Sequence, residues 1–488
     1  MIDLTINNSV LEKSILRARK KNIIVPTFEQ QKNPNLISEK IKNELRSINL
    51  WDIHPRNLFR ISWKNEPKDK GGVFTNLPNY IELPPELTGV EARIMALIGK
   101  WFPTGSHKVG ATFGCLIPKL VTGQFDPTSQ TAVWPSTGNY CRGGAYDATL
   151  LACDSLAILP EEMSQERFDW LSKVAGEIIK TPGGESNVKE IFDKCLELKK
   201  EKKKKIVIFN QFDEFGNHLW HHEVTGPAMK EILDKEINNS NLSGICLTTG
   251  SSGTLGAADY IKEQYPSSIT AAGESLQCPT MLLNGFGYHR IEGIGDKHIP
   301  WIHNVKKTDL VIAIDDQDCM NLLRLFNEPV GKQYLTKQGV PDYMVENLDL
   351  LGISSIANLL MTIKFARYFE LSRRDIILTV FTDSMQLYQS RLKELNSRYG
   401  EYSEIKAAID YHRSLQEIKI DNILELKYPD KQRIHNLKYF TWVEQQGKSV
   451  EELNRQWYDE ERYWNEIYEK VPKLDELIRN FNEKVGLS

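Results

Sequence analysis

Between about residues 90 and 390, short apolar runs alternate with longer stretches whose apolar positions recur at helical spacing. The runs ARIMALIG (92–99), TAVWP (131–135), SLAILP (155–160) and KIVIFN (205–210) predict strands. So do GICLTT (244–249), SITAAG (268–273), DLVIAI (309–314) and DIILTVF (375–381). Between them, helices are expected over Val109–Leu120, Ser164–Ala175, Val188–Lys199, Val224–Leu233 and Gly352–Phe369. In the first of these, Val109, Phe113, Leu116, Ile117 and Leu120 share one face. Strand–helix alternation of this length predicts an α/β protein with mostly parallel sheets buried on both faces. Eight strands suggest two open sheets, with a seam near the polar stretch FDEFGNH (212–218).

The flanks read differently. Residues 1–75 form a polar N-terminal extension with one amphipathic helix expected over 36–49. Residues 76–220 are expected to form a smaller α/β domain and 221–392 a larger one. After about 392 the strand signals stop, and 393–488 reads as a helical appendix whose Trp and Tyr side chains pack onto the core or a second subunit. The basic run Lys199–Lys205 reads as a solvated loop before a strand.

With 61 basic and 65 acidic residues in 488, charge balance gives no electrostatic case for nucleic acid or an anionic membrane. Stacking aromatics do not interleave with the lysine run, which also speaks against nucleic acid. The start lacks a basic-then-apolar leader pattern, and no apolar run approaches the ~18 residues of a membrane span. Seven scattered cysteines without a C-x-x-C pair favour reduced thiols in a cytoplasmic protein. His218, His221 and His222 lack a carboxylate or cysteine that completes a ligand set, so no metal site is expected.

Five stretches carry candidate chemistry. Pro103-Thr-Gly-Ser-His-Lys108 sits where a strand gives way to a helix, and the positive helix end disfavours the ammonium form of Lys108. A deprotonated lysine amine is the nucleophile that condenses with aldehydes, pyridoxal phosphate among them. Gly250-Ser251-Ser252-Gly253-Thr254, between a strand and a helix, presents backbone N–H groups and hydroxyls to an anion such as a phosphate. A competing dinucleotide reading would use Glu274 for a ribose, but the glycine spacing is G-x-x-G-x-x-G. Ser136-Thr137-Gly138-Asn139-Tyr140 offers donors suited to a carboxylate or a ring oxygen, or else an N-capping turn. Arg290-Ile-Glu-Gly293-Ile-Gly295 and Phe381-Thr-Asp-Ser384 complete the set. Four of the five lie beyond the carboxyl ends of strands, where ligands bind open α/β sheets, so one shared pocket is expected.

With these motifs in this order, the region from about 90 to 390 resembles a fold-type II pyridoxal phosphate enzyme of the cysteine synthase and cystathionine β-synthase branch. The resemblance implies that Lys108 in SHK holds pyridoxal 5'-phosphate as an internal aldimine and later acts as general base. Asn139 would bond the cofactor's ring oxygen, with Ser136, Thr137, Gly138 and Tyr140 holding the substrate. Gly250, Ser251, Ser252, Gly253 and Thr254 would grip the phosphate, Gly293 would flank the ring, and Ser384 would face the pyridine nitrogen. GISSIANLLMTIKFA (352–366) resembles the helix that precedes the final strand. Tyr140 and Cys141 stand where the family usually has smaller or simpler residues. The implied reaction is β-replacement or β-elimination on a serine-, O-acetylserine- or cysteine-type amino acid through an aminoacrylate, with a thiol or sulfide as nucleophile, in a homodimer. The alternatives are a threonine dehydratase or threonine synthase-like enzyme and a non-catalytic scaffold of the same fold.

Overall fold

The computed structural model describes residues 1–202 and 205–487. Eleven strands form two sheets among these residues. In chain order they are β1 (Tyr80–Leu83), β2 (Arg93–Ile98), β3 (Thr131–Pro135), β4 (Asp154–Pro160), β5 (Glu177–Thr181) and β6 (Ile206–Ile208). There follow β7 (Asn241–Thr248), β8 (Ile269–Ser275), β9 (Leu310–Ile314), β10 (Asp375–Phe381) and β11 (Ile423–Glu425). The larger sheet runs β1-β2-β10-β7-β8-β9-β11, parallel except for its two outermost strands, and the smaller runs β5-β4-β3-β6 and is parallel throughout.

All eight sequence-predicted strands are present, and both faces of the central ones are covered. On β2, Ile94, Ala96 and Ile98 join one hydrophobic cluster while Met95 and Leu97 join another. β10 does the same, with Ile377 and Phe381 on one side and Ile376, Leu378 and Val380 on the other. Because successive side chains point to opposite faces, a strand buried on both sides is apolar at nearly every position, the buried Thr379 of β10 being satisfied by donating to the Cys246 carbonyl at 2.7 Å. Its continuous apolar run is the result.

Three strands escape the sequence pattern. β1 comes from YIEL, β5 from EIIKT, and β11 lies inside the segment expected to be wholly helical. All are edge strands, half exposed or short, so their apolar signal is diluted. β1 and β2 belong to the larger sheet, which differs from the sequence-based assignment of residues 76–220 to the smaller unit. Contiguity along the chain suggested that grouping, whereas β10, nearly three hundred residues later, supplies β2's parallel neighbour. The helix expected to end at Lys199 continues to Lys202, so half of the basic run is helical; Lys203 and Lys204 lie outside the described residues.

Five helices position the cleft: α1 (Lys108–Val121), α2 (Asn139–Leu150), α3 (Phe215–Trp220), α4 (Leu255–Gln264) and α5 (Ile353–Tyr368). The chain's two ends close on each other behind α1. Asp475 accepts from the backbone N–H groups of Phe28 at 2.7 Å and Glu29 at 3.2 Å, capping the short helix Phe28–Lys32. Asn482 Oδ1 accepts from Val25 N–H at 2.9 Å. Trp442, Tyr463 and Trp464 of the C-terminal segment are buried in the core, and the Trp464 ring meets Phe215 edge-on at 5.7 Å. Among the described residues, no helix is long and apolar enough to cross a membrane.

Candidate active site

Lys108 is the first residue of α1, reached from β2 through two short turns. Its Nζ donates to Ser251 Oγ at 3.3 Å. Burial lowers its pKa from 10.5 to about 8, against the opposing pull of Asp296 and Glu185. A substantial fraction of the amine is therefore free near neutrality.

Ser251 belongs to the loop between β7 and α4, whose N-terminus faces the same cleft. Its Oγ also accepts from Asn217 Nδ2 at 3.0 Å. Ser252 adopts φ +62°, and its hydroxyl is buried without a protein partner. A side chain at Gly253 would collide with the Asn217 amide, so only glycine lets α3 and this loop meet. The result is a hydroxyl-rich pocket at a helix N-terminus, suited to a phosphate.

The third wall is the turn from β3 into α2. Asn139 Nδ2 donates to Asp383 Oδ2 at 2.5 Å, while its Oδ1 accepts from Arg142 Nη1 at 3.2 Å. Tyr388 holds the same Asp383 oxygen at 2.6 Å. Asp383, two residues past the end of β10 and outside the cleft lining, thus holds the Asn139 amide from behind. Ser136 Oγ accepts from Gln211 Nε2 at 3.2 Å, and Thr137 Oγ1 donates to Glu185. Tyr140 lies on the wall, but its hydroxyl is buried beside Cys115.

These parts line one narrow cleft. Lys108, Ser136, Thr137, Asn139, Tyr140, Gly250, Ser251, Ser252, Thr254 and Gly293 all line it. Of the sequence-predicted residues, Gly138, Gly253 and Ser384 do not. Ser384 is 1% exposed, and its Oγ has no partner. Ser354, at the start of α5, is likewise buried and outside the lining, and a carbon added at Gly293 would lie 3.9 Å from its hydroxyl.

Two carboxylates in the cleft also went unforeseen. Asp296 follows the IEGIG motif directly, and burial raises it to about 7, with Lys108 opposing. Burial raises Glu185 to about 8, opposed first by Arg167. Arg167 is fully buried, 2.8 Å from Glu292 and 3.9 Å from Glu185, and donates to the Thr137 carbonyl at 2.7 Å. This cation carries the acidic side of the cleft. Glu274, the candidate ribose ligand, instead caps the helix at Thr280–Leu283 by accepting from Met281 and Leu282 N–H at 2.9 and 2.8 Å.

A partly free lysine amine, an unpartnered serine hydroxyl at a helix N-terminus and a clamped amide together fit an aldehyde that carries a phosphate and a ring oxygen. No family model matches the chain. It is 26% identical over 317 residues to a cystathionine beta-synthase of Saccharomyces cerevisiae, covering 63% of this chain and 59% of that one. The match therefore spans about three-fifths of the yeast protein's length. It is 28% identical over 289 residues to a cysteine synthase of Staphylococcus aureus, covering 59% of this chain and 84% of that one. A solved cysteine synthase from Entamoeba histolytica superposes with a TM-score of 0.56 at 22% identity, over 70% of this chain and 93% of that one, which shows the fold. Over about three-fifths of its length the chain is thus similar to enzymes named cysteine synthase and cystathionine beta-synthase.

Proposed function

We propose that the protein catalyses β-replacement on a serine-type amino acid, with sulfide or a thiol as the incoming nucleophile. One observation carries this reading: the Lys108 amine, with its pKa near 8, touches Ser251 of the hydroxyl-rich loop at a helix N-terminus. Pyridoxal 5'-phosphate, when bound, supplies a conjugated electron-withdrawing system that acidifies the substrate's α-proton and labilises its β-substituent. Ser251, Ser252 and Thr254 would hold its phosphate, Asn139 its ring oxygen and Lys108 its aldehyde carbon. Ser384, whose buried hydroxyl has no protein partner, would face the pyridine nitrogen.

The chain's own groups do the rest. Lys108 Nζ, once released by the incoming amino group, takes the α-proton as general base. Ser136 and Thr137 would orient the substrate, the Glu185 contact fixing the Thr137 hydroxyl. Asp296 and Glu185, both raised toward neutrality by burial, would exchange protons with the amine.

Seven unpaired, buried thiols support a cytoplasmic setting, and the family resemblance supports a homodimer. The test is an absorbance spectrum with pyridoxal phosphate, then with O-acetylserine, L-serine, L-cysteine and L-threonine in turn. A visible band that forms in the wild type, is absent from Lys108→Ala and shifts with one serine-type donor is expected. Protein that remains colourless with added cofactor would sink the assignment; a response to threonine alone would move it to a dehydratase.

A further inference from the structure

Ser251 receives hydrogen bonds and gives none. Its Oγ accepts from Asn217 Nδ2 at 3.0 Å and from Lys108 Nζ at 3.3 Å, with the Gly253 N–H directed at the same oxygen from 3.5 Å. A hydroxyl has two lone pairs and one hydrogen, so two accepted bonds fill its acceptor side and leave the hydrogen to be donated. Among the described residues, Ser251 Oγ donates to no protein group. Ser251 is on the wall of the cleft and 1% exposed, so bulk water does not take that hydrogen either.

The orientation of the Asn217 amide is set by a backbone carbonyl. Nδ2 also lies 2.9 Å from the Gln211 oxygen, which can only accept, so the NH2 group must face it. One amide hydrogen goes to Gln211 and the other to Ser251. A flipped amide would set Oδ1 against the carbonyl and leave Ser251 without this donor. Asn217 has no solvent exposure and is absent from the cleft lining. Its Oδ1 packs where a side chain at Gly253 would stand, so α3 lies directly on the loop. From behind, Tyr468 donates its hydroxyl to Asp259 Oδ2 of α4 at 3.1 Å and lies 3.0 Å from His218 Nε2 of α3. The C-terminal segment thus ties the helix that carries Asn217 to the helix that begins at the loop. A second feature of the loop points to a ligand: the Ser252 hydroxyl, on the same wall, is buried without a partner.

We propose that Asn217 is a positioning residue: by filling the acceptor side of Ser251 Oγ, it turns the serine hydrogen into the cleft as a fixed donor to a bound phosphate. Asn217 acts on the phosphate only through Ser251. The inference rests on the phosphate-loop reading above and deepens it.

The test is a thermodynamic cycle on the full-length protein, with Asn217→Leu, Ser251→Ala and the double variant. Leucine keeps the approximate volume of the amide, adds no charge and donates nothing. Titration of the visible band should show Asn217→Leu weakening pyridoxal phosphate binding roughly three- to tenfold. In the Ser251→Ala background the same change should cost less than about twofold, because the hydroxyl it orients is gone. Pyridoxal, the same aldehyde without the phosphate, should bind wild type and Asn217→Leu alike. Asn217→Ala, which removes the donors without filling the space, should repeat the pattern. Losses that add in the double variant, an equal loss for pyridoxal, or an unchanged affinity in both Asn217 variants would overturn the positioning role. Wild type that takes up no pyridoxal phosphate but binds inorganic phosphate, followed by 31P line broadening, fails the functional reading alone, and the cycle then runs on phosphate. Wild type that binds neither overturns the donor site as well.

Discussion

The rate at which cofactor-free protein captures pyridoxal phosphate should report the Lys108 amine directly, since only the unprotonated form attacks an aldehyde. With a pKa of about 8, about one-tenth of the amine is free at pH 7 and about nine-tenths at pH 9. Capture should therefore rise about tenfold over those two pH units and level off above them. A lysine left at 10.5 would instead gain about a hundredfold and still be climbing. Asp296 supports the protonated amine more than any other carboxylate does, so Asp296→Asn should move the midpoint down by about half to one unit. The assay is stopped-flow growth of the visible absorbance band, normalised at each pH to a simple alkylamine so that the cofactor's own ionisation cancels. A rate still rising tenfold per unit above pH 9, or a midpoint that climbs in Asp296→Asn, would refute the account of burial against one carboxylate.

Further predictions concern the walls and the scaffold. Ser252→Ala and Ser251→Ala should each weaken cofactor binding by about 1–2 kcal/mol, roughly five- to thirtyfold, read by titrating the visible band. Arg167→Ala leaves Glu292 with Arg391 as its remaining cation and should cost about 1–3 kcal/mol in denaturant unfolding, chiefly from the unpaired Thr137 carbonyl and the weakened carboxylate pairing. Trp464→Ala removes a fully buried ring from the seam with α3 and should cost about 3–5 kcal/mol. A loss under 1 kcal/mol there would mean the C-terminal segment packs loosely on the core.

Strands buried on both faces were legible because covering both faces favours mostly apolar runs, as in β2, β7 and β10. Local pattern thus yielded the α/β class, whereas Lys108, Asn139 and the G-S-S-G-T loop stood out as ligand candidates only through their conjunction at strand ends and the family resemblance. It could not say which strands pair, because sheet order joins residues that are distant in the chain. That is why β2 was grouped with its sequence neighbours when its partner is β10. Nor could it reveal Asp296 or Glu185, whose significance lies in burial and in facing groups across the cleft rather than in spacing. The chain's two ends show the same division. Their aromatics predicted burial, but tertiary contact alone places Trp63 against Thr225 and Trp464 against Phe215. Short-range periodicity encodes what each segment must bury, while long-range contacts set the partner, and with it a lysine's pKa and the chemistry of the cleft.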